Sequence, residues 1–212
     1  MTKTTNIHRL EHICNEVRKR ICVGEYADGQ ALYEEKLAKE FEVSRTPIRQ
    51  VLHRLALERF VETKSGIGTL IIPTDRVSFE DDQNILAQTL MMAGLASEEI
   101  DANDRIELAT LLHMSKMITK DFSINTYWDT CYRYNYLIRE KIRHDLMRDT
   151  IHILFCRLYR WLLASPTPEK IEQLTQALLN ELQQANELVE TDNNASSLIR
   201  LRANAILSLS NS

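Results

Sequence analysis

Val43-Ser44-Arg45-Thr46-Pro47-Ile48-Arg49-Gln50-Val51-Leu52-His53-Arg54-Leu55 is the stretch on which the reading of this 212-residue chain turns. Ser44 stands where a hydroxyl can cap a helix, by accepting from a free backbone N–H one turn on. Pro47 follows inside the first turn, where its missing N–H costs little. Ile48, Val51, Leu52 and Leu55 recur at helical spacing and make one apolar face. Arg45, Arg49 and His53 recur every fourth residue and make another, with Arg54 beside them. No acid falls between Val43 and Arg54. A short helix with a buried stripe and arginines at its N-terminal end suits a DNA major groove. Guanidinium groups there pair with phosphate, or bidentately with guanine. Taken alone, the same arginines also fit a solvated helix face.

The flanks extend the pattern. Residues 33–41 read as a second short helix through Leu32, Leu37, Ala38 and Phe41, meeting the first through a tight turn at Glu42-Val43. Downstream, Phe60-Val61-Glu62-Thr63 and Leu70-Ile71-Ile72 are strand-like, joined by the glycine-bearing turn Lys64-Ser65-Gly66-Ile67-Gly68-Thr69. Residues 7–23 read as an opening helix whose buried face is Ile7, Leu10, Ile13, Cys14, Val17, Ile21 and Cys22. Arg18-Lys19-Arg20 at its end serve either the helix dipole or a DNA backbone. His8 and His12, four apart, read as exposed residues rather than a metal pair. Helix, helix, then hairpin is the order of a winged helix-turn-helix.

Residues 7–72 resemble the DNA-binding domain of GntR-type bacterial transcription regulators. The features that carry the resemblance are Ile21-Cys22-Val23-Gly24, Gly29, Leu32, Glu34 and Leu37-Ala38, followed by Val43 to Arg49, Leu52, Arg54-Leu55 and Gly66-Ile67-Gly68-Thr69. The resemblance implies that Ser44, Arg45, Thr46 and Arg49 contact DNA from the recognition helix, with Gly66 approaching from the wing, where Lys64 is read as a further contact. The chain departs from the pattern at three places. Glu35 followed by Lys36 stands where many relatives have an arginine, Arg59 where they have glycine, and Val51 where they have alanine. An acid at 35 lies near the expected phosphates and bears on operator preference.

The whole chain is 44% apolar and 26% charged, with five glycines and four prolines, which favours long helices in a globular protein. No run of about 18 apolar residues offers a membrane span. The first residues lack the apolar segment of a signal peptide, so a cytoplasmic protein is expected. Cys14, Cys22, Cys131 and Cys156 form no C-x-x-C pair and read as small buried hydrophobes. Charge is split: residues 1–76 hold 13 Lys and Arg against 11 Asp and Glu, net +2, whereas the remainder hold 13 against 19, net −6. Only the first part suits phosphate.

After Pro73-Thr74-Asp75-Arg76 every element reads as helix. Spans are expected at 78–93, 101–119, 123–143, 145–163, 168–190 and 195–209. Ser78 with Asp81 forms a capping-box-like start. Ile85, Leu86, Leu90 and Met91 mark the first inward stripe, and Ile106, Leu108, Ala109, Leu112 and Met117 the second. The fold class expected is mainly α: a winged helix-turn-helix over 1–73, a linker at 74–77, and an antiparallel bundle of about six helices over 78–212.

An all-helical domain behind such a head resembles the FCD-type, FadR-like class of these regulators. In that class the bundle binds a small effector, often through a metal held by an aspartate, a histidine four residues later and two later histidines. Asp129 matches the first, but Arg133 stands four residues on, and no histidine follows His152. No metal or other cofactor is therefore expected. Instead Arg133 would supply the positive charge for an anionic effector, with Asp129, Tyr132 and Tyr136 around it. The competing reading makes these aromatics core filling and pairs Arg133 with Asp129 one turn away. The expected partners are a double-stranded DNA operator, a small-molecule effector and a second copy of the chain, with no membrane. The expected function is a transcription regulator, a repressor by family habit. The alternative is a winged-helix protein-interaction adaptor. No nucleophile–base pair or phosphate loop suggests an enzyme, and no catalytic residues are assigned.

Overall fold

Apolar stripes at helical spacing organise the chain into two compact units that meet at the 77/78 boundary. The structure, a computed structural model, describes residues 3–76 and 78–209, with side chains from residue 8 onward. Ile7, expected on the first buried face, and Val77, expected in the linker, lie outside that description.

In the first unit α1 (Lys3–Cys22) buries Ile13, Cys14, Val17, Ile21 and Cys22. It packs on α3 (Arg45–Leu57), which α2 (Glu34–Glu40) also contacts. From α3 the buried residues are Ile48, Val51, Leu52 and Leu55, the stripe read from the sequence. The wing is a hairpin of β2 (Val61–Lys64) and β3 (Gly68–Ile71), with Val61 opposite Ile71 and Lys64 opposite Gly68. Its turn places Gly66 and Gly68 at φ +78° and +117°, where a side chain would be strained. A third strand, β1 (Ala31–Leu32), pairs with the far side of β3 and gives the order β1-β3-β2. Two residues are too short for alternation to show in the sequence.

Two turns correct the sequence reading. Ser44 occupies the position before α3 in extended backbone, but its side chain makes no capping bond. At the other end α3 stops at Leu57, where the Arg59 N–H donates to the Ala56 carbonyl and the Phe60 N–H to the Leu55 carbonyl. This is the paired closure of a helix whose following residue is left-handed. Arg59, at φ +66°, fills that position, which explains why glycine suits it better.

Arg18 and Arg20, offered above to a dipole or to DNA, are both structural. Arg18 is buried and forks onto Glu58, with Nε and Nη2 each 2.8 Å from a carboxylate oxygen. Its Nη1 donates to Asn15 Oδ1 at 2.6 Å. Arg20 bonds Glu16 and Glu40 and stacks over Phe41. Arg54, placed beside the reading face, instead bonds Glu58 and Glu11 and so ties α3 to α1.

Six helices make up the described part of the second unit: α4 (Phe79–Ala93), α5 (Ala102–Ile118), α6 (Ile124–Glu140), α7 (Asp145–Leu162), α8 (Pro168–Thr191) and α9 (Ala195–Ser208). Ser78 caps α4 by accepting from the Asp81 N–H. Asp101 and Asp104 form a full reciprocal capping box on α5, which the sequence reading missed. α4 packs on α7 and α9, α5 on α6 and α8, and α6 on α7. Ile85, Ile106 and Met117, expected inward, are exposed. The inward stripe of α5 is Leu108, Leu111, Ser115 and Ile118. All four cysteines are buried free thiols, and burial pushes the Cys131 thiol up to about 12. Among the described residues no helix is long and apolar enough to cross a membrane.

Glu58→Ala leaves the Arg18 charge buried without its fork and should cost about 3–5 kcal/mol of unfolding free energy in urea titration. Arg18→Met combined with Glu58→Leu should recover most of that loss. Arg59→Gly should stabilise the chain by about 0.5–1 kcal/mol, read as a shift of the urea midpoint, because it relieves a left-handed side chain.

Candidate nucleic-acid interface

Burying Ile48, Val51, Leu52 and Leu55 turns the opposite face of α3 outward, and that face carries the expected reading residues. Ser44, Arg45, Thr46 and Arg49 are all exposed. Because the Ser44 hydroxyl does not cap the helix, it remains available to a ligand. Thr46 lies between the arginines in the first turn. Lys64 and Gly66 are exposed at the wing, next to Ile67, which is 61% exposed. Lys64 Nζ lies 3.1 Å from Glu62 Oε1, as does Arg76 Nη1. The ammonium and guanidinium hold the Glu62 carboxyl below its usual range.

The reading arginines meet acids that their own helix lacks. Arg49 Nε donates to Glu34 Oε2 at 2.8 Å, and Arg45 Nη2 to Glu35 Oε2 at 2.9 Å. Both acids stand in the first turn of α2. Lys36, beside them, lies over the Tyr33 ring at 5.1 Å. Glu35 was legible as a departure in charge; Glu34 was read only as part of a motif. The pairing itself could not be read, since residues 34 and 49 belong to different helices and no periodicity links them.

In the second unit Arg133, Tyr132 and Tyr136 line one cleft of about 490 Å³, together with Asp104, Glu107 and Glu140. Asp129 is exposed and does not line it. Arg133 forks onto Glu107, with Nε–Oε1 and Nη2–Oε2 both 2.8 Å, rather than pairing with Asp129 as the competing reading had it. An anion at Arg133 would therefore have to displace a carboxylate. Tyr132 packs edge-on against His152 and Phe155, so it serves the core as well as the cleft.

A second cavity, of about 390 Å³, lies among α6, α7, α8 and α9, lined by Tyr127, Tyr159, Leu178, Glu181, Asn204 and Ala205 among others. Behind it Arg202 is buried. Its Nη1 donates to Glu181 Oε2 at 2.7 Å, its Nη2 to the Tyr159 hydroxyl at 3.0 Å, and its guanidinium lies 5.1 Å from the Tyr134 ring centre. Glu181 Oε1 and the Tyr134 hydroxyl are both buried and interact with each other, short of full hydrogen-bond geometry. Burial pushes the Glu181 carboxyl up, against the pull of Arg202. The sequence reading missed this pair, although it left a signal. Glu181 interrupts the stripe Leu174, Leu178, Leu182, Ala185, and Arg202 interrupts Leu198, Ile199, Ala203, Ile206. A charge at an inward position of a helix demands a partner.

Residues 9–71 match the bacterial regulatory proteins of the gntR family. The gluconate operon transcriptional repressor of Bacillus licheniformis is 33% identical over 106 residues, and that of Bacillus subtilis (strain 168) 29% identical over 109. These stretches are 50% and 51% of this chain but only 43% and 44% of the two repressors. The chain thus spans less than half the length of the curated relatives it matches. Among solved structures, E. coli McbR/YncC has a TM-score of 0.76 at 16% identity, over 98% of this chain and 95% of that one. A protein of Rhodococcus sp. RHA1, titled as a GntR transcriptional regulator, has 0.61 at 13% identity, over 96% and 99%. Likeness at these identities speaks for the fold alone. With the family match falling on the helices and wing described above, the first unit is a helix-turn-helix domain of the gntR family.

Proposed function

We propose that this protein is a transcription regulator, a repressor, that reads a two-fold DNA operator through residues 1–73 and is controlled by a small molecule bound within residues 78–212. Residues 74–77 would link the two parts. The observation that carries the reading is the exposed turn of α3, where Ser44, Arg45, Thr46 and Arg49 stand clear of a buried apolar stripe. A helix so placed can enter a major groove and present guanidinium groups to base edges. Lys64 and Gly66 would meet the flanking backbone. The two Bacillus relatives are repressors by title, which supports the sign of regulation. One head covers too little DNA for tight specific binding, so a homodimer is proposed, working in the cytoplasm.

A ligand can change operator affinity only through its preference for one arrangement of that dimer. For the ligand site we favour the cavity beside Glu181 over the Arg133 cleft. Arg133 is already neutralised by Glu107, whereas the cavity offers the polar side chains of Asn180, Glu181, Gln184 and Asn204 on an apolar wall. The effector is accordingly proposed to present hydroxyl, amide or amine groups to these side chains, in place of the anion expected at Arg133, Tyr132, Tyr136 and Asp129. The pairing of Arg45 and Arg49 with Glu35 and Glu34 favours one second reading, a winged-helix adaptor that docks on protein, because it lowers the net charge of the reading face.

Selection of bound sequences from a random duplex pool, at about physiological salt, separates the two. A regulator yields an enriched two-fold site, for which Arg49→Ala costs about 1–3 kcal/mol if the contact is to a base. Its affinity falls steeply with added salt. An adaptor yields no enrichment. For the cavity, a metabolite found by thermal-shift screening should add about 2.7 kcal/mol of stability at a hundred times its Kd. Ala205→Trp, which fills the cavity, should abolish that gain while Arg133→Ala leaves it intact. The reverse outcome returns the effector to the Arg133 cleft.

A further inference from the structure

The two acids of α2 take different atoms of the arginines they meet. Glu34 holds Arg49 by Nε, on the flank of the guanidinium, and Arg49 donates to nothing else among the described residues. Its two terminal nitrogens remain side by side and open. That end-on pair is one of the two forks by which a guanidinium meets guanine O6 and N7. Glu35 instead holds Arg45 by Nη2. Nη2 belongs to both forks, the end-on one with Nη1 and the side-on one with Nε. Arg18 shows the side-on fork in this same domain, reaching Glu58 through Nε and Nη2. A carboxylate on Nη2 takes one of the two hydrogens on that nitrogen, so Arg45 meets DNA with one of its two forks already engaged and its charge partly neutralised. Both pairs lie at the surface, with the Arg45 and Glu35 side chains 57% and 79% exposed, so DNA can compete for them.

We propose that Glu34 is a positioning residue that braces Arg49 for an end-on guanine contact, and that Glu35 withholds Arg45 from DNA. This rests on the DNA-reading function proposed above. The head would then discriminate by asymmetry: one arginine is aimed in advance, and the other offers both its forks only where the site displaces a carboxylate. Arg49 would carry base identity on any approach. Arg45 would contribute little on unrelated DNA, where no base edge repays the loss of its carboxylate partner.

Electrostatics alone predicts one sign for both acids, since removing either should strengthen binding to a polyanion. The bracing geometry predicts opposite signs. The test is fluorescence anisotropy with the full chain, on the enriched two-fold site and on an unrelated duplex. Glu34→Ala should weaken the enriched site about tenfold, the scale of one bidentate base contact. It should not weaken the unrelated duplex, as a general loss of folding would. Glu34→Gln, whose amide oxygen still accepts from Nε, should recover most of the affinity. Glu35→Ala should tighten both duplexes roughly twofold to fivefold. That gain should vanish in an Arg45→Ala background. Tightening by Glu34→Ala, or a Glu35→Ala gain that persists without Arg45, overturns the inference and leaves the DNA reading standing. Failure of the unaltered protein to enrich any site overturns the DNA reading and this inference with it.

Discussion

The Arg18 guanidinium, 1% exposed, keeps its charge inside the first unit because Glu58 meets it with both carboxylate oxygens. Everything the domain presents outward depends on that fork. Glu58 closes α3, and Arg18 sits three-quarters of the way along α1, so the pair fixes one helix against the end of the other. Arg54 adds a second tie from α3, to Glu58 and to Glu11 on α1. With α3 anchored at its C-terminal end, its N-terminal turn is free to carry Ser44, Arg45, Thr46 and Arg49 without serving the core. The same basic residue type thus does two jobs on one helix. Position relative to the stripe decides which.

That division also marks what could be read without coordinates. The stripe 48, 51, 52, 55 and the glycines of the wing each have a local cause, in helical period and in turn geometry, and each appeared where expected. Arg18, Arg20 and Arg54 could not be sorted into structural or exposed from sequence, because sorting them needs the acids at 58, 40 and 11, brought in by folding. β1 was invisible because a two-residue strand has no period. In the second unit the helices were legible from the spacing of their apolar residues. Ile85, Ile106 and Met117 nonetheless point outward, since an amphipathic count treats every apolar residue as inward and α4 and α5 have more of them than their contacts need.

The two units solve the problem of an internal charge in related ways, with different consequences. Arg18 is fully matched by Glu58, Asn15 and the Cys14 sulfur, which makes a closed network and a rigid joint. Arg202 satisfies one oxygen of Glu181 and the Tyr159 hydroxyl, while the other Glu181 oxygen and the Tyr134 hydroxyl meet short of full hydrogen-bond geometry, which makes a looser network than the first.

Gln83, buried on α4, donates to the carbonyls of Ile206 and Leu209 at 2.8 and 2.7 Å, joining residues 123 and 126 positions apart. Helical domains ordinarily assemble fast because their contacts are local. Here α4 finds one of its main packing partners in α9, which leaves the ribosome last of the described helices. During synthesis the apolar face of α4 must therefore wait for most of the second unit to be made. A nascent chain in that condition offers an unfinished helix face to chaperones and to other nascent chains until α9 is made.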